Sequence, residues 1–145
     1  MKRNHINEIH RINYLTTEIQ SLYHQSSLKM GISDSVSIVL YALYDSGCEC
    51  LLSEIYKNSG VSKQTINSAI RGLEADGMLY LERHNGRAKK VILTDRGIAY
   101  ANQTAARLLQ AEMDAFDSWG EEEVGEYIRL MEKYLDCFRI QIEKL

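Results

Sequence analysis

The sequence predicts a mainly α fold with one small β-hairpin, and three observations support that prediction. The 145 residues include no proline, so nothing of that kind interrupts a helix interior. Two short strand-like runs flank Asn85-Gly86, the dipeptide most typical of a tight hairpin turn. From Val124 to Leu145, apolar residues recur at alternating steps of four and three, which indicates a long helix.

Composition excludes several classes of protein. Hydrophobic residues make up 45% and charged residues 26%, which excludes a disordered tail and a disulfide-stapled mini-protein. No apolar run approaches the ~18 residues that a membrane span needs. The basic N-terminus, residues 1–7, is not followed by the apolar segment of a signal peptide. We therefore expect a cytoplasmic protein.

Apolar periodicity predicts the first two helices. Residues 5–28 carry one apolar stripe and precede the helix-breaking segment 30–32. This stripe consists of Ile9, Ile12, Leu15, Ile19 and Leu22. Ser33 or Asp34 can cap a second helix, which ends before Gly47. The buried face expected for it consists of Val36, Val39, Leu40 and Leu43.

A short strand at residues 48–50 and a third helix at residues 51–58 come next. Gly60 stops the third helix because glycine tolerates positive φ. Ser62 then caps a fourth helix that runs to Asp76. Its expected inward residues are Ile66, Ala69, Ile70 and Leu73. Its expected outward residues are Lys63, Gln64, Thr65, Asn67, Ser68 and Arg71.

The hairpin and a long fifth helix follow. Strands are expected at residues 78–84 and 88–94, and Asn85-Gly86 between them predicts a two-residue type I′ turn. Thr94 or Asp95 caps a continuous helix over residues 96–118. It is apolar at Ile98, Ala101, Ala105, Leu108 and Phe116.

The last helix, after Gly120, has the most regular pattern in the chain. Its apolar stripe has a period of 3.5 residues, as in a coiled-coil-like seam. The stripe consists of Val124, Ile128, Met131, Leu135, Phe138, Ile142 and Leu145. Such a regular stripe predicts an obligate dimer that pairs through residues 5–28 and 98–145.

Charge is unevenly distributed. The chain carries a net charge of −3, yet eight basic and only four acidic residues lie from Lys57 to Arg96. Seven acids and no Lys or Arg lie from Glu112 to Glu126. The basic segment indicates a surface that meets phosphate, and ordinary solvated charge is the alternative explanation.

The elements follow one another in the order of a winged helix-turn-helix: helix, tight turn, helix with a polar outer face, and basic hairpin. A helix that enters the major groove needs outward donors for base edges and phosphates. Gln64 and Asn67 are the types that bind adenine, and Arg71 suits guanine or a phosphate.

Four segments carry a resemblance to the multiple-antibiotic-resistance regulator (MarR) family of bacterial transcription factors. They are Leu52-Ser53-Glu54-Ile55, residues 60–66, residues 73–79 and residues 87–97. The resemblance implies a homodimer in which residues 1–32 and 97–145 form a helical dimerisation lobe. It implies that residues 33–96 form a winged DNA-binding lobe, and that two such lobes read a pseudo-palindromic operator. A repressor that a small-molecule effector or thiol oxidation releases is typical of the family.

The residues and the resemblance together define a candidate DNA-binding set. It consists of Ser62, Lys63, Gln64, Thr65, Asn67, Ser68, Arg71, Arg87, Lys89 and Lys90. Arg87 is the residue that the resemblance places in the minor groove. The sequence departs from the family pattern at Asn85, where the wing usually has Asp, in its shorter wing tip, and at Tyr56, where a small residue is common.

Other side chains suggest further hypotheses. Candidate ligand contacts are Tyr14, Tyr23, Tyr41 and Tyr44, for which packing in the core or an interface is the alternative. We expect free thiols at Cys48, Cys50 and Cys137, because the first two lack the spacing of a zinc or thioredoxin motif. The sequence contains no catalytic motif, and no metal or cofactor is expected. The main alternative function is a winged-helix dimer that binds protein, but the polar, basic fourth helix favours DNA.

Overall fold

Residues 2–145, which the computed structural model describes, form seven α-helices and three short β-strands. In chain order they are α1 (Ile6–Met30), α2 (Asp34–Asp45), β1 (Glu49–Leu51), α3 (Leu52–Ser59), α4 (Lys63–Ala75), β2 (Leu79–Arg83), β3 (Lys89–Leu93), α5 (Asp95–Gln103), α6 (Ala105–Ala115) and α7 (Glu121–Ile142). Contacts divide the chain into a first unit that ends at Leu109 and a second unit, Gln110–Leu145. None of the helices within residues 2–145 is long and apolar enough to cross a membrane.

Three helices of the first unit begin at side-chain caps. Ser33 caps α2, Ser62 caps α4 and Thr94 caps α5. In each case the hydroxyl oxygen accepts a hydrogen bond from the backbone N–H three residues later. The sequence predicted these three starts to within one residue, because Ser and Thr satisfy a donor that the first helical turn leaves unpaired.

The core of the first unit lies between its helices and a three-stranded antiparallel sheet. The strand order is β1-β3-β2, so β3 lies in the centre. The largest fully buried side chains are Leu40, Leu43, Ile55, Ile66, Leu79, Val39 and Val91. The inward face predicted for α4 is confirmed, because all four of its members are at most 4% exposed.

The hairpin turn differs from the two-residue turn that we expected. The Ala88 N–H donates to the Asn85 carbonyl at 2.9 Å, so the turn spans Asn85–Ala88 and its central residues are Gly86 and Arg87. Of the two central residues, only Gly86 has positive φ, at 57°. Arg87 does not, since Cys48 is the sole non-glycine residue with positive φ in the described chain. The type I′ prediction at Asn85-Gly86 was therefore wrong by one residue, and it left Arg87 outside the turn.

The helix predicted over residues 96–118 is broken at Thr104. The Thr104 hydroxyl donates to the Tyr100 carbonyl at 2.8 Å, while its backbone N–H donates to the Ala101 carbonyl at 3.2 Å. The side chain thus takes the acceptor that a continuous helix reserves for the backbone N–H of Thr104. The backbone departs from helical values there, with φ −126° and ψ −81°, and α6 begins at the next residue.

Apolar stripes on α1 and α7 are open to solvent in the single chain. In the first unit, Ile12 and Ile19 on α1 are 48% and 47% exposed. In the second unit, Met131 and Leu135 on α7 are 55% and 53% exposed. Scattered exposed apolar residues are normal, but a continuous apolar row is typical of an interaction surface.

Candidate nucleic-acid interface

The outer face of α4 presents polar side chains on a well-anchored helix. Four buried residues hold its inner face, and its first turn contains no acid. Gln64, Ser68 and Arg71 are exposed on the other side. Ser62 and Thr65 also pair with each other, since their hydroxyl oxygens lie 2.8 Å apart. These two hydroxyls are therefore already hydrogen-bonded at the start of α4.

A cleft of about 650 Å³ lies between α3, α4 and the hairpin. Five candidate DNA-binding residues line it: Lys63, Asn67, Arg71, Arg87 and Lys89. Glu74 is the one acid in the lining. The fold thus gathers cations from α4 and from the hairpin around one concave surface, where their fields add and attract polyanions. The candidates outside this lining are Ser62, Gln64, Thr65, Ser68 and Lys90.

Arg87 and Lys89 occupy different parts of the hairpin. Arg87 lies in the turn itself and is exposed, beside the positive-φ residue Gly86. Lys89 opens β3, where it pairs with Arg83 of β2, and is also exposed. Placing Arg87 in the turn brings it nearer the tip than the sequence indicated.

Lys90 differs from Lys89 because its charge already has a partner. Its Nζ lies 2.8 Å from a carboxylate oxygen of Glu49 on β1. The hydrogen bond to Glu49 is the main cause that raises the pKa of Lys90, because it stabilises the charged amine. Lys90 is half-buried and Lys89 is exposed, so the two neighbouring lysines are unequal as phosphate contacts.

Tyr56 is a member of the site that the list of polar candidates missed. Its hydroxyl donates to Asn67 Oδ1 and its ring lies 5.4 Å from Lys63 Nζ, as ring centroid to nitrogen. That distance is within the range of a cation–π contact. The signal in the sequence was the unusual size of Tyr56 for its position, but size alone does not say which side chains it contacts.

The candidate ligand-binding tyrosines lie elsewhere in the first unit. Tyr14 and Tyr23 are exposed on α1, while Tyr41 and Tyr44 are half-buried on α2 and pack against the core. None of the four lines the cleft. The Arg11 guanidinium lies 5.4 Å from the ring centroid of Tyr14. A role in ligand binding stays a prediction for all four.

The three cysteines are free thiols in different surroundings. Cys50 is buried in the core, and burial is the main cause that raises the pKa of its thiol. Cys48 is half-buried with φ 74°, and Cys137 is exposed on α7. Within residues 2–145 there is no cluster of three or more His, Cys, Asp or Glu side chains that could hold a metal ion.

A family model matches the middle part of the chain. The sequence model described as the MarR family matches residues 30–89, which include α2, α3, α4 and the start of β3. Over these residues the chain is similar to the MarR family. This is a family of transcription regulators, and both the resemblance and the mainly α, winged-helix fold class are confirmed. In a comparison with curated proteins, no relative matches the chain.

Solved structures share the fold of this chain, and one of them, NMB1585, is described as a MarR family regulator. NMB1585, a regulator from Neisseria meningitidis, is 18% identical with a TM-score of 0.80, and the match covers 98% of this chain and 99% of that one. BpsR from Bordetella bronchiseptica is 20% identical with a TM-score of 0.64, covering 85% and 97%. PcaV from Streptomyces coelicolor is 19% identical with a TM-score of 0.64, covering 86% and 91%. At these identities the likeness shows a common fold.

Proposed function

We propose that this chain is a MarR-type transcription regulator, cytoplasmic and homodimeric, that binds a pseudo-palindromic operator and represses transcription by blocking promoter access. The observation that carries this proposal is the cleft beside α4, which Lys63, Arg71, Arg87 and Lys89 line together. Phosphate neutralisation by Lys and Arg provides much of the affinity of a protein for DNA. The net negative charge of the chain does not oppose this, because the basic side chains are concentrated at the surface that would meet DNA.

In this proposal α4 enters the major groove and the hairpin follows the adjacent minor groove. Gln64 and Arg71 are exposed on α4 and can reach base edges, which present distinct donor and acceptor patterns in the major groove. Arg87, in the exposed turn, suits the minor groove, where a narrow A·T-rich segment attracts a guanidinium. Lys63 and Lys89 serve phosphates.

We propose that the apolar stripes on α1 and α7 pair with those of a second copy. Leu15 on α1 and Leu135 on α7 are 44% and 53% exposed, and each lies in a continuous apolar row. A specific interface buries about 800 Å² per partner, which rows of this length can supply. This supports residues 1–32 and 97–145 as the dimerisation lobe and residues 33–96 as the DNA-binding lobe.

We also propose that a small molecule regulates DNA binding. BpsR shares the fold of this chain and its DNA binding is regulated by 6-hydroxynicotinic acid, and PcaV has been solved in complex with its natural ligand. Tyr14, Tyr23, Tyr41 and Tyr44 are the candidate contacts in this chain.

Selection of bound sites from random DNA tests the proposal. We expect enrichment of one sequence with approximate two-fold symmetry. Gln64→Ala should lose about 1–3 kcal/mol of binding free energy on that site and little on random DNA. Gln103→Ala is the matched control, because Gln103 is also an exposed helical glutamine but lies at the end of α5. If the parent enriches no sequence, DNA is not its specific partner and the protein-binding alternative takes precedence.

A further inference from the structure

Tyr56 occupies a position from which it can control the recognition helix. It lies on α3, directly after the fully buried Ile55, and its half-buried ring packs against the core. The core therefore holds the ring, while the hydroxyl reaches Asn67 on α4. The hydroxyl of a ring on α3, which the hydrophobic core holds in place, thus contacts a candidate base-reading residue on α4.

Asn67 is distinguished from the other candidate readers on α4 by this contact. Its side chain is half-buried, whereas Gln64, Ser68 and Arg71 are exposed. The Tyr56 hydroxyl donates to Asn67 Oδ1, so the carbonyl end of the amide is turned toward α3. The plane of the Asn67 amide is therefore set before DNA arrives, and the Nδ2 group, with its two N–H donors, is the end left for a base.

The orientation of this amide changes which base Asn67 can read. An Asn that reads adenine pairs with it through two bonds, accepting from N6 with its oxygen and donating to N7 with its nitrogen. With its oxygen hydrogen-bonded to Tyr56 and turned toward α3, Asn67 presents the donors of its Nδ2 group to a base. Donors match base edges that present acceptors in the major groove, which are guanine N7 and O6 and thymine O4.

We infer that Tyr56 is a specificity-determining positioning residue, which turns Asn67 from an adenine reader into a reader of guanine or thymine at one position of each half-site. This inference rests on the proposed DNA-binding function. The same ring also lies beside Lys63, one turn before Asn67 on α4. Tyr56 therefore positions one candidate base contact through its hydroxyl and one candidate phosphate contact through its ring.

Tyr56→Phe separates these two contacts. It removes the hydroxyl and frees Asn67 Oδ1, but it keeps the ring beside Lys63. Selection from random DNA with the parent, Tyr56→Phe, Asn67→Ala and the double variant tests the inference. We expect guanine or thymine at the Asn67 position with the parent, and adenine with Tyr56→Phe, with a preference of roughly tenfold in each case. Asn67→Ala should show no preference there, and the double variant should match it.

The outcomes distinguish this inference from the proposed function. A purely structural role for Tyr56 would weaken binding to all sites and leave the preferred base unchanged, and that result would overturn the inference alone. The same applies if the parent already prefers adenine at the Asn67 position. If the parent enriches no sequence, the proposed function fails and the inference fails with it. Circular dichroism of each variant confirms that it is folded, and Asn67→Ala against its own double variant gives a second comparison.

Discussion

Replacing Gly97 on α5 by alanine should destabilise the protein, and the structure allows the cost to be estimated. A Cβ atom at this position would lie 1.8 Å from the Met78 carbonyl oxygen and 3.1 Å from Leu93 Cδ2. The Met78 oxygen cannot move freely, because it accepts a hydrogen bond from the Thr94 N–H at 3.0 Å. Gly97 thus permits α5 to begin directly against the segment that leads into β2.

The expected loss for Gly97→Ala is about 2 kcal/mol of unfolding free energy. Forcing a methyl group into packed structure costs about 1–3 kcal/mol. Loss of the Thr94–Met78 hydrogen bond adds about 1 kcal/mol. The better helix propensity of alanine returns about 1 kcal/mol. For a chain of this size the net loss corresponds to a fall in Tm of roughly 5–10 °C.

Urea denaturation followed by circular dichroism measures this loss. Gly72→Ala is the matched control, because Gly72 lies within α4 and a Cβ there would meet nothing within 4 Å. Gly72→Ala should be more stable than the parent by about 0.5–1 kcal/mol. All three proteins must be compared at one concentration, since association stabilises the folded state. If Gly97→Ala is as stable as the parent, the close packing of α5 on the Met78 segment is refuted.

Three further predictions address the dimer, the hairpin and the pH dependence. Leu135→Asp should abolish dimerisation, since it removes about 1.5–3 kcal/mol of apolar burial from each subunit. Ultracentrifugation at micromolar concentration should show this variant as a monomer. The control Lys133→Asp, on the other side of α7, should stay dimeric. A parent that is itself monomeric would contradict this. Arg87→Ala should weaken binding to many DNA sequences, with an additional loss on A·T-flanked sites; unchanged binding to every site would mean that the hairpin does not touch DNA. Asp34 lies 2.7 Å from His24 Nδ1, and this hydrogen bond is the main cause that lowers the pKa of Asp34 below 3.8. The hydrogen bond therefore stabilises the folded state fully above the ordinary pKa of Asp, and this stabilisation is lost as the pH falls through the lowered pKa of Asp34. Acid should thus lower the unfolding free energy of the parent more than that of Asp34→Asn. Parallel curves of unfolding free energy against pH for the two proteins would refute this contribution.

The sequence predicted the elements of the first unit well wherever one short-range rule decided the outcome. Ser62 with the inward residues of α4 defines that helix from both its cap and its buried face. Thr94 defines the start of α5 by the same rule. Such signals are local, so tertiary contacts have little opportunity to override them.

The sequence did not predict features that depend on which partner a group finds in the folded chain. At Thr104, the side chain and the backbone compete for the Tyr100 carbonyl, and composition does not show which wins. At the hairpin, the register between Arg83 and Lys89 places the turn one residue later than the Asn85-Gly86 signal indicated. In the candidate site, the partners of Lys90 and Asn67 come from β1 and α3, at separations of 41 and 11 residues.

The salt dependence of binding to the selected operator tests the central claim most directly. If each subunit meets three or four phosphates through Lys63, Lys89, Lys90 and Arg71, a dimer neutralises roughly 6 to 8 of them, and log affinity should fall with log salt at a slope of about −5 to −7. Lys89→Ala should reduce the slope by about 2 per dimer, because one phosphate contact is lost in each subunit. Lys90→Ala should reduce it less, since its amine is paired with Glu49. A slope near zero for the parent would contradict the claim that this surface binds DNA.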